Sequence, residues 1–249
     1  MSVLSSIPSP LAARGHHITL TARSCAVFLG GVAGLLLLAH LVGQLMKFVA
    51  GRDTVYGLVP LFDLDQERSI PAMYSATLLL LAAFLLGVIA RLQWREQAGE
   101  RWAWLTLALG FLFMACDEAV SLHELLSRPV GELLGQTSEP LILLSWVLPS
   151  GALVVVLGAL YLPFLWRLPA KYRKLFTLSG AMFVGGAVGM EIVDLLWLEV
   201  WGARDLIYNL LIMVEEGLEM FGAIAFIFSL LLYIEEFYPE AGLRFGEAV

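Results

Sequence analysis

Charge is scarce in this sequence. Only 15% of its 249 residues are Asp, Glu, Lys or Arg, against about 25% in a soluble domain. With 59% hydrophobic residues and a mean hydropathy of +0.83, that shortage excludes a disordered chain and nearly excludes a soluble enzyme. Cysteine is scarce too. Cys25 and Cys116 lie in different apolar stretches and match no CxxC pattern. A disulfide scaffold is excluded, and both thiols read as small apolar residues. Fifteen basic residues face 22 acidic ones. No basic segment points to nucleic acid as a partner. No internal repeat, low-complexity tract or domain linker is visible.

What the chain does have is long apolar runs, continuous rather than alternating. They predict helices and not a barrel. Six reach or approach the roughly 20 residues that cross a bilayer: about 25–48, 71–89, 102–125, 140–166, 175–197 and 209–233. Pro149 kinks the fourth span or divides it to give a seventh helix. The expected fold class is therefore all-α, a polytopic membrane helix bundle partnered by the lipid bilayer. A polar tail (1–24) precedes one transmembrane domain (25–234), and an acidic tail (235–249) follows. The first apolar stretch is too long for a signal-peptide core, so no cleaved leader is expected. With the N-terminus inside, ten basic residues fall on inner segments and five on outer ones, which predicts both termini in the cytoplasm. The outer stretch 50–71, with Asp53, Asp63, Asp65 and Glu67, reads as a solvated acidic loop. It lacks the glycine and closing glutamate of an EF-hand.

The few charges inside the spans fall at one level. The third span is apolar up to Asp117, Glu118, Ser121, His123 and Glu124. The fifth is uncharged until Glu191 and Asp194. The sixth begins with Asn209, Glu215, Glu216 and Glu219, and the first carries His40, Gln44 and Lys47 towards its outer end. At 100° per residue, Asp117, Ser121 and Glu124 share a 60° sector of one helix, and Glu191 and Asp194 share another. Each helix thus has a narrow polar face. Carboxylates at that depth must be hydrated, protonated, paired with Lys47, Arg128 or Arg204, or bound to a cation. One arrangement leaves them in the headgroup layer facing water. The other gathers them around an outward-opening cavity. The run Gly185-Gly186-Ala-Val-Gly189 predicts close helix packing near Glu191.

The helix Asp117-Glu118-Ala-Val-Ser-Leu-His123-Glu124 and the later Glu215-Glu216-Gly-Leu-Glu219-Met-Phe-Gly222 together resemble a group of uncharacterised bacterial multi-pass proteins with a DE-x4-HE helix and a late EE-x2-E helix. The resemblance spans about the last 150 residues. It implies a bacterial cytoplasmic (inner) membrane and brings no activity with it. Ceramidase-like hydrolases and membrane desaturases need histidine patterns this chain lacks.

Three functions follow from the acidic level. In the first, Asp117, Glu118, Glu124, Glu191, Asp194, Glu215, Glu216, Glu219 and His40 supply ligands to a divalent metal ion (Zn, Mn, Fe or Ca). Glu124 and His123 then serve as catalytic groups on a membrane-proximal substrate. In the second, the same acids carry protons or cations for a coupled transporter. In the third, the chain is a non-catalytic accessory subunit whose polar faces meet other membrane subunits.

Overall fold

A computed structural model describes residues 18–19, 21–241 and 244–245. Most of the polar tail and the last residues of the acidic one, with His16 and His17, lie outside that description, as do the side chains of His123 and Glu124. The described residues fold as helices, apart from two-residue strands β1 (Ile18–Thr19) and β2 (Arg244–Phe245) that pair antiparallel. The helices are α1 (Ala22–Phe48), a short α2 (Leu58–Leu61), α3 (Ile70–Arg95), α4 (Arg101–Val120), α5 (Leu122–Leu133) and α6 (Glu139–Leu144). They continue as α7 (Val147–Arg167), α8 (Ala170–Val184), a π-helical stretch (Gly185–Met190), α9 (Glu191–Trp201) and α10 (Leu206–Phe237). Six helical units among the described residues are long and apolar enough to cross a membrane: α1, α3, α4, α6 with α7, α8 through α9, and α10. Phe28, Leu35, Phe84, Phe113, Val155 and Leu160 are exposed along them, as expected of faces turned to lipid.

Local chemistry sets the helix ends. Thr21 and Ser24 form a capping box that starts α1. Ser69 caps α3 ahead of Pro71 in its first turn. Asp205 caps α10 by accepting the Tyr208 N–H at 2.8 Å. The loop between α7 and α8 turns at Pro169, which cannot continue a helix from behind.

α10 is the hub. Its most apolar stretch is 61% buried, against 17% for α1 and α4 and 11% for the α6–α7 unit. α1, α3, α8 and the π stretch all pack on it. At the end of the bundle nearest the termini, the Trp104 indole is 1% exposed. Its ring meets Phe164 of α7 at 5.1 Å, Phe176 of α8 at 6.0 Å and Tyr233 of α10 at 5.0 Å between centroids. Polar contacts tie the same end. Arg167 reaches Glu100 at 2.7 Å, Lys171 reaches Glu236 at 2.6 Å, and Glu235 accepts the first N–H of α1 at 2.7 Å.

Glycine brings two helices unusually close. A Cβ on Gly186 would stand 2.7 Å from the Glu215 carbonyl oxygen and 2.7 Å from Cγ of Glu219. One on Gly222 would stand 2.7 Å from the backbone nitrogen of Phe183. Of the run expected to pack closely, Gly186 does so, while Gly185 and Gly189 face open space, and the Gly186 contact fixes the height of the α10 acids against the π stretch. Because backbone cannot swing aside, Gly186→Ala is expected to cost about 1–3 kcal/mol through overpacking. Chemical unfolding in detergent or bicelles measures it.

Three sequence expectations are corrected. The third span does not run unbroken to residue 125. Ser121 turns left-handed (φ 54°) and separates α4 from α5, so Asp117 and Glu124 do not share one helical face. The fourth span breaks at Ser145–Trp146, between α6 and α7, rather than at Pro149, which sits in the first turn of α7 where a missing N–H costs nothing. The loop after α1 is only partly the expected solvated acidic loop, with Asp53 and Glu67 exposed. It folds back, burying Asp63 and Leu64.

Candidate acidic site

The site lies at the end of the bundle away from the termini. Glu215 stands nine residues into α10 and Glu191 ten residues before the end of α9, so both sit roughly 15 Å below their helix ends at 1.5 Å per residue. The acids do not splay apart. Asp194 is 2% exposed and Glu215 6%. Their carboxyls lie within hydrogen-bonding reach of each other, with Glu191 close by. Glu215 Oε2 is buried with no donor directed at it. A buried carboxyl oxygen without a donor, set among other acids, needs a proton, a water or a cation to offset it. The strongest electrostatic neighbours of Glu216 are Glu118, Glu67, Glu191 and Asp65, and those of Glu219 are Glu216, Glu118 and Glu191. Acids from α4, α9 and α10 therefore converge with two from the loop.

Two features of the chain aim these groups. The π stretch carries its hydrogen bonds one residue further than an α-helix, which turns α9 relative to α8, and Glu191 and Asp194 follow it directly. Trp146, at the start of α7, donates its indole N–H to Glu191 at 3.3 Å. The break at Ser121 frees that residue's hydroxyl to bond the Glu67 carboxylate, which pins the loop over the end of α4.

A second polar layer closes this end. His40 of α1 is 2% exposed. Its Nε2 is 3.3 Å from the Asn209 carbonyl, and its Nδ1 is 3.1 Å from the Leu64 N–H. A neutral ring satisfies both contacts, with the proton on Nε2. Nδ1 also lies 3.4 Å from Asp63 Oδ1, so a protonated ring exchanges the Leu64 contact for an ion pair. Gln44 donates to Asp63 at 3.1 Å. Asp65 accepts from Arg204 and from the Tyr208 hydroxyl, each at 3.0 Å. Lys47, expected as a counter-charge to the acids, acts on Asp65.

The two loop aspartates titrate in opposite directions. Burial pushes the Asp63 carboxyl up, but the charge of a protonated His40 ring, the Asp65 N–H and the Gln44 amide outweigh burial and hold it below its ordinary value. Burial, with the nearby Asp63 charge, raises Asp65 despite Arg204, Tyr208 and Lys47. A lowered carboxyl stabilises the fold above its unfolded value and loses that contribution as the pH falls through its folded one. A raised carboxyl contributes below its unfolded value and loses that as the pH rises through its folded one. The unfolded value is 3.8 for both. Stability of the folded-back loop should therefore peak near pH 3.8. Amide-exchange protection of residues 58–69, corrected for intrinsic rates, measures it. A monotonic rise with pH contradicts the assignment.

Of the residues singled out in the sequence, Glu118, Glu191, Asp194, Glu215, Glu216 and Glu219 come together. His40 joins the adjacent layer instead. Asp117 is half-buried at the end of α4 and is not among the main neighbours of the α10 acids. His123 and Glu124 belong to α5, and their side chains lie outside the described residues. Among the described residues, no three His, Cys, Asp or Glu side chains are arranged to hold a metal ion. Sequence reasoning missed Asp63, Asp65, Glu67, Tyr208 and Ser75 as members of this region. The available signal was Asp63-Leu-Asp65-Gln-Glu67, three acids at alternate positions beside a helix set with more acids than bases.

Residues 26–234 match the family described as a domain of unknown function (DUF8692), so the match takes in the helices that carry the acids. No curated protein matches the chain, and no solved structure does. The chain belongs to the DUF8692 family.

Proposed function

We propose that this DUF8692 member is a membrane transport protein whose converging carboxyls take up and release protons, coupling that exchange to movement of a solute or cation. The observation that supports it is the buried carboxyl of Glu215, with no donor on Oε2 and the buried Asp194 acting on it from α9. An inert fold has no reason to keep such a pair, because each buried, unsatisfied polar group costs about 1–3 kcal/mol. A set of buried acids whose neighbours are mostly acids is instead suited to exchanging protons. The positive-inside count adds an orientation, with both termini in the cytoplasm and the acidic end outward. The resemblance to bacterial proteins adds the cytoplasmic membrane as location.

Proton flux into dye-loaded liposomes under an imposed pH gradient, with the potential clamped, tests this reading. Wild-type protein should dissipate the gradient faster than empty vesicles. Glu191→Gln and Glu219→Gln should each slow it by about tenfold or more, as expected when a proton-transfer group is removed. Wild-type vesicles no leakier than empty ones, or variants as fast as wild type, contradict it.

A further inference from the structure

Ser75 stands one turn into α3, 7% exposed, with its hydroxyl buried and unpartnered. A hydroxyl inside a helix ordinarily bonds back to a carbonyl one turn earlier. Those of Thr77, Thr106, Ser179 and Ser229 do so here. Ser75 instead lines a cavity of about 10 Å³ whose other polar walls are Glu118 of α4 and Glu219 of α10. Leu78, Phe183 and Met220 wall the apolar side. A space of that size holds about one water molecule, and about three polar partners are what a buried water usually bonds. A hard cation stripped of water takes six or more oxygens, which this cavity does not offer.

We propose that the cavity holds one water molecule, hydrogen-bonded to Ser75, Glu118 and Glu219, and that Ser75 positions it to relay protons between the two carboxyls. The relay rests on the proton-carrying reading above. As the acid form of one glutamate gives its proton to the water oxygen, the water gives one of its own to the carboxylate of the other. The water is unchanged, and charge moves only between the two side chains. Ser75 is a positioning residue, since it neither gains nor loses a proton overall.

Two measurements test it together. The first is a map of wild-type protein and Ser75→Ala in lipid nanodiscs, at a resolution that shows waters. The second is proton flux in liposomes. The expected result is density for one water within hydrogen-bond distance of Ser75 Oγ in wild type and none in Ser75→Ala. Flux should fall about tenfold in Ser75→Ala, the equivalent of one lost hydrogen bond, and be restored by Ser75→Thr. An empty wild-type cavity, or a water that persists in Ser75→Ala, overturns the placement. A lost water with undiminished flux overturns the relay alone. Wild-type protein that carries no protons overturns the functional reading and the relay with it, while the water itself is still decided by the map.

Discussion

Glu215→Gln is expected to make the protein more stable and less active. Glutamine matches glutamate in shape, so packing at this 6%-exposed position is kept. Its amide supplies a permanent N–H donor towards Asp194, where the native pair must find a proton, a water or a cation. Satisfying one buried acceptor is worth about 1–3 kcal/mol. The same change removes an exchangeable proton from the centre of the cluster, so flux in liposomes should drop by about tenfold or more. Stability bought at the expense of activity is the mark of a site retained for function. Unfolding in bicelles and flux from the same preparation give both numbers. A variant that is less stable yet equally active contradicts the account, because Glu215 is then a structural contact.

Trp104→Ala is expected to show the opposite pattern. This indole joins α4, α7, α8 and α10 at the far end from the acids. Replacing a fully packed tryptophan leaves a cavity the neighbouring rings cannot fill, at a cost of about 3–5 kcal/mol. Inside a bilayer that cost is lost packing rather than exposure to water. α7 has few other side chains buried, Val147 and Phe164 being its only buried residues, so its attachment should weaken most. Thermal unfolding should show a large loss, while flux per folded molecule is unchanged. A flux defect in the folded fraction argues instead that the two ends are coupled.

The six long apolar helices were legible because hydropathy alone specifies them, although α3 runs on to Arg95 and α4 ends at Val120. The common depth of the acids was legible too, because they are doubled at one level on several spans, but the sequence left both a headgroup-layer and a gathered arrangement open. The breaks were not. Nothing in Asp117–Glu124 marks Ser121, since a serine in left-handed backbone leaves no glycine or proline as a sign. The π stretch showed only as glycines, which suit close packing and a π turn equally. The loop read as solvated because the groups that bury Asp63 and Asp65 come from α1 and from residues 204–208, far away in sequence. Ser75 was invisible for a simpler reason. Its significance lies in the bond it does not make.

The account depends most on carboxyls holding protons inside the bundle at neutral pH. Infrared spectroscopy of the purified protein in lipid reads this directly, through the C=O stretch that only protonated carboxyls show. Wild-type protein at pH 7 should display that band, and it should shrink in both Glu215→Gln and Asp194→Asn. A spectrum containing only ionised carboxylates, unchanged by either substitution, would contradict it.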